Sequence, residues 1–235
     1  MRRRLFLTLA ALAAFACAQT GVRGAVTVEH LAGRKADSAG VVVWLTPRSA
    51  DVAAATATPA PLQHFRMAQR NRHFAPSLLV IPAGATVDFP NFDPYFHNVF
   101  SLGQGHPFDL GLYQAGASRA HRFIQPGVNY VFCNIHSQMT AVIVTVPSYW
   151  YAVSNAAGDY ALPPAPPGAY QLHVWYERAA PAALAQLTRT LTVPSSGALT
   201  LPPFTIAEVA APATHTNKYG KPYAKTKAYG LGGGL

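Results

Sequence analysis

The chain has 235 residues and a formal net charge of +9, with 20 prolines and 18 glycines. Four lysines and no acidic residue lie in the last 20 residues, so these contribute much of the net charge of +6 that remains without the arginines at positions 2–4. That distribution argues against a nucleic-acid-binding protein. The frequent proline and glycine, without a sustained helical hydrophobic pattern, exclude a helical protein and predict an all-β fold. The length allows one large or two small domains.

Residues 1–18 have the features of a secretory signal peptide. Arginines at positions 2–4 precede an apolar run over 5–15 and the small-residue cleavage site Ala16-Cys17-Ala18. The apolar run is shorter than the roughly 20 residues that a membrane-spanning helix needs. Paired arginines before an apolar run also fit a twin-arginine signal, so both export routes stay open. We therefore expect a periplasmic or secreted protein, whose formal charge falls from +9 to +6 when the three arginines are removed.

Short strands are predicted along most of the remaining chain. Two are expected at 26–28 and 41–45, followed by an Ala-, Thr- and Pro-rich linker at 49–61. Further strands recur at intervals of about 8–12 residues, which is the signature of a β-sandwich. They cover residues 78–81, 86–89, 98–102, 108–112, 122–123, 128–132 and 141–146. We expect the first two of these to pair as a hairpin around Pro82-Ala83-Gly84.

The stretch from Cys133 to Met139 carries three potential metal ligands. A cysteine, His136 and a methionine follow an aromatic-rich strand at the spacing C-x2-H-x2-M, and a second histidine, His97, lies upstream. A soft thiolate with imidazole suits copper, and a weak thioether contact is typical of blue-copper centres. Taken singly, a cysteine is more often a small buried hydrophobe. The four residues together, in this order, indicate a copper site.

The same residues resemble the cupredoxins, small copper proteins that transfer electrons. His97-Asn98-Val99 followed by the Cys133–Met139 loop is similar to the plastocyanin and amicyanin type. The resemblance implies a Greek-key β-sandwich over residues 62–147 with one mononuclear type 1 copper ion. It places His97, Cys133 and His136 in the ligand plane and Met139 on the axis.

Two further residues take roles from this resemblance. Asn98 would tie the strand that carries His97 to the cysteine-bearing loop, and such contacts orient metal ligands. The alternative is an asparagine at a strand edge that faces water. Phe132 would help to exclude water from the copper ion, although a phenylalanine in a sandwich is more often a plain core residue.

The remaining strands resemble a different small sandwich, the carboxypeptidase regulatory-like module. Gly158–Leu162 and Pro166–Trp175 match its later strands, and Val41–Leu45 is similar to its opening strand. The resemblance implies a second Ig- or transthyretin-like sandwich built from residues 26–47 and 148–208. We expect the copper unit to be inserted into this sandwich or packed against its edge. Val41–Leu45 should then share a sheet with residues 170–175.

The tail, residues 209–235, is rich in Lys, Gly, Pro and Thr. It has too few apolar residues to form a core, so we predict that it is disordered and solvated. The alternative is an electrostatic tether to an anionic membrane or an acidic redox partner.

These features favour a one-electron carrier that shuttles between Cu(I) and Cu(II). Removal of the signal leaves Cys133 as a single cysteine, so a binuclear copper site with two thiolates is not expected. No H-x-H pair or hydrolase motif is present, and the other histidines suggest no cluster, which argues against an enzyme. Partners would be a c-type cytochrome or a periplasmic dehydrogenase, and similar two-part proteins are often labelled methylamine-utilisation proteins. A copper-binding or copper-delivery protein and a scaffold module are the alternatives.

Overall fold

The computed structural model describes residues 20–32, 37–55, 63–102, 107–210 and 215–223, so the predicted signal peptide lies outside the described residues. The all-β class is confirmed, because the ordered elements are mostly strands. The strands are β1 (Thr20–Glu29), β2 (Val42–Pro47), β3 (His64–Arg66), β4 (Ala68–Arg70), β5 (His73–Ala75), β6 (Leu78–Pro82), β7 (Thr86–Pro90), β8 (His97–Ser101), β9 (Phe108–Tyr113), β10 (Ser118–Arg122), β11 (Gly127–Phe132), β12 (Thr140–Val146), β13 (Tyr151–Val153), β14 (Asp159–Ala165), β15 (Gly168–Trp175), β16 (Arg189–Val193), β17 (Leu199–Thr200) and β18 (Phe204–Ala207). Two short helices, α1 (Ala50–Ala55) and α2 (Pro181–Gln186), complete the described elements. No described helix is long and apolar enough to cross a membrane.

One sandwich, here called the flanking sandwich, is built from residues 20–55 and 147–210. Its first sheet has the order β14-β1-β17, with β18 also paired to β1, and its second has the order β13-β2-β15-β16. In β15 the residues alternate between buried and partly buried, which places Tyr170, Leu172 and Val174 in the core. That core joins residues from both ends of the chain into a single cluster.

The register of this sandwich confirms one prediction. β2 pairs with β15 in antiparallel register, with Leu45 opposite Leu172 and Val43 opposite Val174. The predicted strand at Val41–Leu45 therefore shares a sheet with residues 170–175, although residues 46–169 lie between them in the chain.

The second sandwich, here called the ligand-bearing sandwich, is built from residues 63–146. Its sheets have the orders β10-β7-β3 and β6-β12-β11-β8-β9, and a separate apolar cluster fills the space between them. The predicted hairpin over residues 78–89 is wrong. β6 pairs in parallel with β12 while β7 pairs with β10, so the turn at Pro82–Gly84 leads from one sheet to the other. Apolar alternation identifies both strands, but it does not encode which sheet each one joins.

The two sandwiches meet through the outer face of β12. Every residue of this strand after Thr140 is buried, because one face lies in the ligand-bearing core and the other faces the flanking sandwich. Val142, Val144 and Val146 pack there against Val42 of β2. The ligand-bearing sandwich thus packs on β2. In the chain, the same sandwich is inserted between β2 and its partner strand β15.

Part of the predicted disordered tail has a defined position. Residues 215–223 contact the loop between β11 and β12 through hydrogen bonds and a stacked ring. The prediction underestimated polar contacts, because it considered only the few apolar residues of the tail. Residues 211–214 and 224–235, with Lys225 and Lys227, lie outside the described residues.

Candidate metal centre

The potential ligands lie where the strands of one sheet end. His97 is the first residue of β8, and Cys133 directly follows β11, which pairs with β8. His136 and Met139 lie in the loop that returns the chain to β12, here called the ligand loop (residues 133–139). Strand pairing therefore fixes both ends of the loop and brings His97 beside it.

Three of the four predicted ligands form a compact triangle. The Sγ of Cys133 lies 3.9 Å from Nδ1 of His97 and 3.7 Å from Nδ1 of His136. The two Nδ1 atoms are 3.1 Å apart. Ligands at about 2.0–2.3 Å from one shared ion have separations of this size. Within the described residues, this is the group whose donor atoms are close enough to hold a metal ion.

The ligand loop is closed by its own backbone. The Cys133 N–H donates to the Met139 carbonyl at 3.2 Å, and the Met139 N–H donates to the His136 carbonyl at 3.1 Å. Met139 is fully buried in the same cluster as Cys133. Its assignment as axial ligand stays a prediction, while its position in the core agrees with a residue that ends the loop.

Asp93 holds His97, although the sequence analysis did not identify it. The Nε2–H of His97 donates to Oδ2 of Asp93 at 2.7 Å, and both side chains are buried. This contact leaves the lone pair on Nδ1, which faces Cys133 and His136, and carboxylates commonly orient metal-binding histidines in this way. The available signal was an acidic residue four positions before His97 in the same loop.

The Asp93 carboxylate is itself held by the hairpin of β4 and β5. It accepts the backbone N–H groups of Asn71 at 2.6 Å and Arg72 at 2.9 Å. Both turn residues have positive φ, 54° and 58°, which directs two successive N–H groups toward one carboxylate. Burial alone would raise the pKa of Asp93, but the hydrogen bonds from Arg72, His97 and Asn71 lower it below its usual value.

The surroundings of His136 favour the neutral form of its ring. Burial lowers the pKa of His136, and the nearby charges of His97 and Arg72 lower it further. A neutral imidazole is the form that binds a metal ion. The Tyr95 ring closes this side of the site, with its centroid 5.3 Å from that of His97 and 5.8 Å from that of His136.

The contacts of Asn98 differ from both interpretations of the sequence. Its side chain is only 2% exposed, which contradicts a water-facing asparagine. Its Nδ2 donates to Asp109 of β9 at 2.7 Å, whereas the predicted partner was the cysteine-bearing loop. Asp109 in turn binds Lys218 of the tail, whose backbone N–H donates to Asn134 in the ligand loop. Asn98 is therefore linked to that loop through the tail.

Phe132 directly precedes Cys133, and its ring lies between those of Phe100 and His215, so its role in excluding water from a metal ion stays a prediction. The centroids are 5.8 Å and 4.2 Å away, and His215 is stacked on it. His215 is one of the histidines for which the sequence suggests no role. No sequence pattern marks it, because 76 residues separate it from Met139.

No family model matches this chain, and no curated protein sequence matches it. Solved structures do resemble part of it. A Cu-containing nitrite reductase from Thermus scotoductus SA-01 is 25% identical with a TM-score of 0.35, over 38% of this chain and 23% of the reductase. A purple cupredoxin from Nitrosopumilus maritimus is 22% identical with a TM-score of 0.33, over 35% of this chain and 99% of that protein. A Cu(I) form of a methionine-to-alanine variant of amicyanin is 17% identical with a TM-score of 0.33, over 44% of this chain and 98% of amicyanin.

All three are copper proteins or cupredoxins. The matched part is less than half of this chain, and less than a quarter of the nitrite reductase. At these TM-scores the likeness carries no argument about activity. The case for a metal therefore rests on the donor triangle and the residues that support it. The likeness of the flanking sandwich to the carboxypeptidase regulatory-like module stays a prediction.

Proposed function

We propose that this chain is an exported cupredoxin that carries single electrons on one type 1 copper ion. The observation that carries the proposal is the buried meeting of the Cys133 thiol with the Nδ1 atoms of His97 and His136. A thiolate and two imidazoles suit both Cu(I) and Cu(II), so Cys133, His97 and His136 would hold the ion, and the Met139 sulfur would tune its reduction potential. The chain itself orients His97 through Asp93, holds the ligand loop closed and excludes water from the thiolate.

The burial of the ligands favours electron transfer over copper delivery. His97, Cys133 and Met139 have no exposed surface, and backbone bonds close the loop at both ends. A delivery protein has to release its ion to a partner, which would require opening this loop. An electron needs no such opening, so a closed, buried centre suits a carrier.

Electrons would enter and leave beside His136, the ligand that is partly exposed. Its neighbour Ile135 and the neighbour of His97, Phe96, are exposed hydrophobic residues. Arg70 and Arg72 lie on the adjacent hairpin, with their guanidinium groups over aromatic rings. An apolar surface bordered by positive charge fits an acidic redox partner, such as a c-type cytochrome or a periplasmic dehydrogenase.

The chain would act without a substrate of its own. Within the described residues the candidate site is a single donor triangle, which an electron carrier can use without a second site for a substrate. The periplasm would be reached through the signal at residues 1–18. A membrane contact through the tail is less favoured, because Lys218 is engaged by Asp109.

Copper reconstitution tests the proposal. The oxidised, copper-loaded protein should absorb intensely near about 600 nm through its copper–thiolate bond and should show reversible one-electron voltammetry. Ser137→Ala serves as the control, since that side chain is exposed in the same loop. A colourless protein that holds only Cu(I) would instead indicate delivery. Failure to bind copper would overturn the proposal and favour a scaffold.

A further inference from the structure

Residues 215–223, here called the strap, contact the ligand loop at three successive places. The Tyr223 hydroxyl donates to the Cys133 carbonyl at 2.8 Å, and the Lys218 N–H donates to Oδ1 of Asn134 at 3.1 Å. Nε2 of His215 is 2.9 Å from the Ser137 carbonyl. The strap thus contacts the candidate ligand Cys133 itself, the next residue Asn134, and Ser137, which follows the candidate ligand His136.

The strap has a defined shape of its own. Oδ1 of Asn217 accepts the N–H groups of Tyr219 at 2.9 Å and Lys221 at 3.1 Å. The Asn217 N–H donates to the Lys221 carbonyl at 2.9 Å, and Gly220 has a φ of 71°, the left-handed conformation that glycine adopts easily. A turn held in this way presents several donors together, so it can dock without a large apolar area.

Aromatic and ionic contacts attach the strap to the sandwich on either side of the loop. The His215 ring stacks on Phe132 at 4.2 Å, and the Tyr223 ring meets that imidazole edge-on at 5.2 Å. On the other side, Nζ of Lys218 lies 2.7 Å from Asp109, which also holds Asn98. The strap therefore connects the loop to β8, β9 and β11, the strands that surround the metal ligands.

We propose that the strap is a positioning element of the metal centre, with Tyr223 as the positioning residue for Cys133. This proposal rests on the proposed function, because it assigns the strap to the same copper site. The Tyr223 hydroxyl fixes the peptide plane that follows Cys133, and His215 fixes the one that follows Ser137. Together they keep the ligand loop in its metal-binding arrangement. By thermodynamic linkage, a bound ion should stabilise the strap as much as the strap stabilises the bound ion.

Tyr223→Phe tests the proposal, with Tyr219→Phe as its matched control. Both variants remove one hydroxyl from the same segment, but Tyr219 is 69% exposed and its ring contacts Lys218, not the loop. Loss of the bond to Cys133 should lower copper affinity by roughly 2–10-fold in a chelator competition, the range for one hydrogen bond. It should also shift the thiolate absorption band, which a general loss of stability would leave in place. His215→Phe keeps an aromatic ring on Phe132 but loses the bond to Ser137, so it should give an effect of similar size.

Hydrogen exchange of the metal-free protein separates this proposal from the proposed function. Tyr223→Phe should speed exchange of the Lys218 amide, which donates to Asn134, and the control should not. If wild-type protein binds no copper while this difference is present, the copper function fails and the contact between strap and loop stands. If wild-type protein is blue but Tyr223→Phe matches Tyr219→Phe in affinity, band position and exchange, the strap proposal is wrong and the copper function stands.

Discussion

The two sandwiches share one architecture but bury different chemistry. The flanking sandwich has an apolar core of valine, leucine and tyrosine from both ends of the chain. The ligand-bearing sandwich instead buries polar side chains at the end where its ligands lie: Gln69, Asn91, Asp93, His97 and Asn98. Buried polar groups cost free energy unless they are paired. The flanking sandwich buries fewer polar side chains, namely Ser38, Ser148, Ser154 and Glu208. Among the described residues none of these belongs to a group that could hold a metal ion, so the two sandwiches differ in where a site can form.

The largest effect is expected from removing the thiolate. Cys133→Ser should abolish the blue colour and weaken copper binding severely, because a hydroxyl is a much poorer ligand for copper than a thiolate. Absorbance and copper titration measure this, with Ser137→Ala as the control. The flanking sandwich should be unaffected, so near-ultraviolet circular dichroism should keep its tryptophan signals. A Cys133→Ser variant that stayed blue would contradict the ligand assignment.

A cavity in the flanking sandwich should lower stability but leave the properties of the copper site unchanged. Leu172 is fully buried in the flanking core, so Leu172→Ala should lower the free energy of unfolding by about 2–5 kcal/mol. The absorption band and reduction potential of the folded fraction should not move. Denaturant titration followed by tryptophan fluorescence measures the free energy of unfolding. Absorbance and voltammetry measure the band position and the reduction potential. A shifted potential would mean that the flanking core contributes to the site, and the contrast between the sandwiches would be lost.

Asp93→Asn removes a buried negative charge while keeping the shape of the side chain. We expect copper affinity to fall by about 10–100-fold, the usual size for a partner of a metal ligand. The reduction potential should rise, since a nearby negative charge stabilises Cu(II) more than Cu(I).

Asp88→Asn is the matched control for this change. Asp88 also contacts a histidine, His64, at 3.2 Å, but this pair is largely exposed and includes none of the candidate ligands. Equal potentials in the two variants would contradict the role given to Asp93.

The smallest effect is expected at the axial position. Met139→Gln should keep a coloured site and lower the reduction potential, because a harder oxygen donor favours Cu(II). Met67→Gln makes the same chemical change at another fully buried position of the same core. It should reduce stability by about 1–3 kcal/mol through an unpaired amide and leave the potential unchanged. If both variants behave alike, Met139 is a core residue and the axial ligand lies elsewhere.

The sequence indicated the residues of the donor triangle because they are concentrated in short segments. Cys133 and His136 stand three residues apart after one strand, and the paired strand begins with His97, so pattern and topology agree. Asp93 and the strap could not be predicted in the same way. Their contacts depend on a turn with positive φ at Asn71 and on a segment far along the chain, which no local periodicity records.

The strands were also easier to predict than their partners. The resemblance to a carboxypeptidase regulatory-like module predicted that β2 and β15 share a sheet, and the observed register agrees. Apolar alternation led to a hairpin of β6 and β7 that does not form, because a turn between two sheets and a turn within one sheet have similar sequences. Likewise β1 begins at Thr20, several residues before the predicted strand at 26–28. Gly21 and Gly24 interrupt the apolar alternation there, so the sequence pattern does not indicate a strand.

The insertion has a consequence for the order in which the chain folds. Strand β2 needs β13 and β15 as partners, with Val43 opposite Ala152 and Val174, so its contacts span more than about 100 residues of chain. In an unfolded chain, closing such a loop costs entropy before any pairing compensates for it. Once the ligand-bearing sandwich has formed, β12 packs against Val42 of β2, so the chain that follows β12 starts close to β2. The loop that must still close before β13 and β15 pair with β2 is then short. The module that holds the ligands is then also the template on which the two halves of its neighbour find each other.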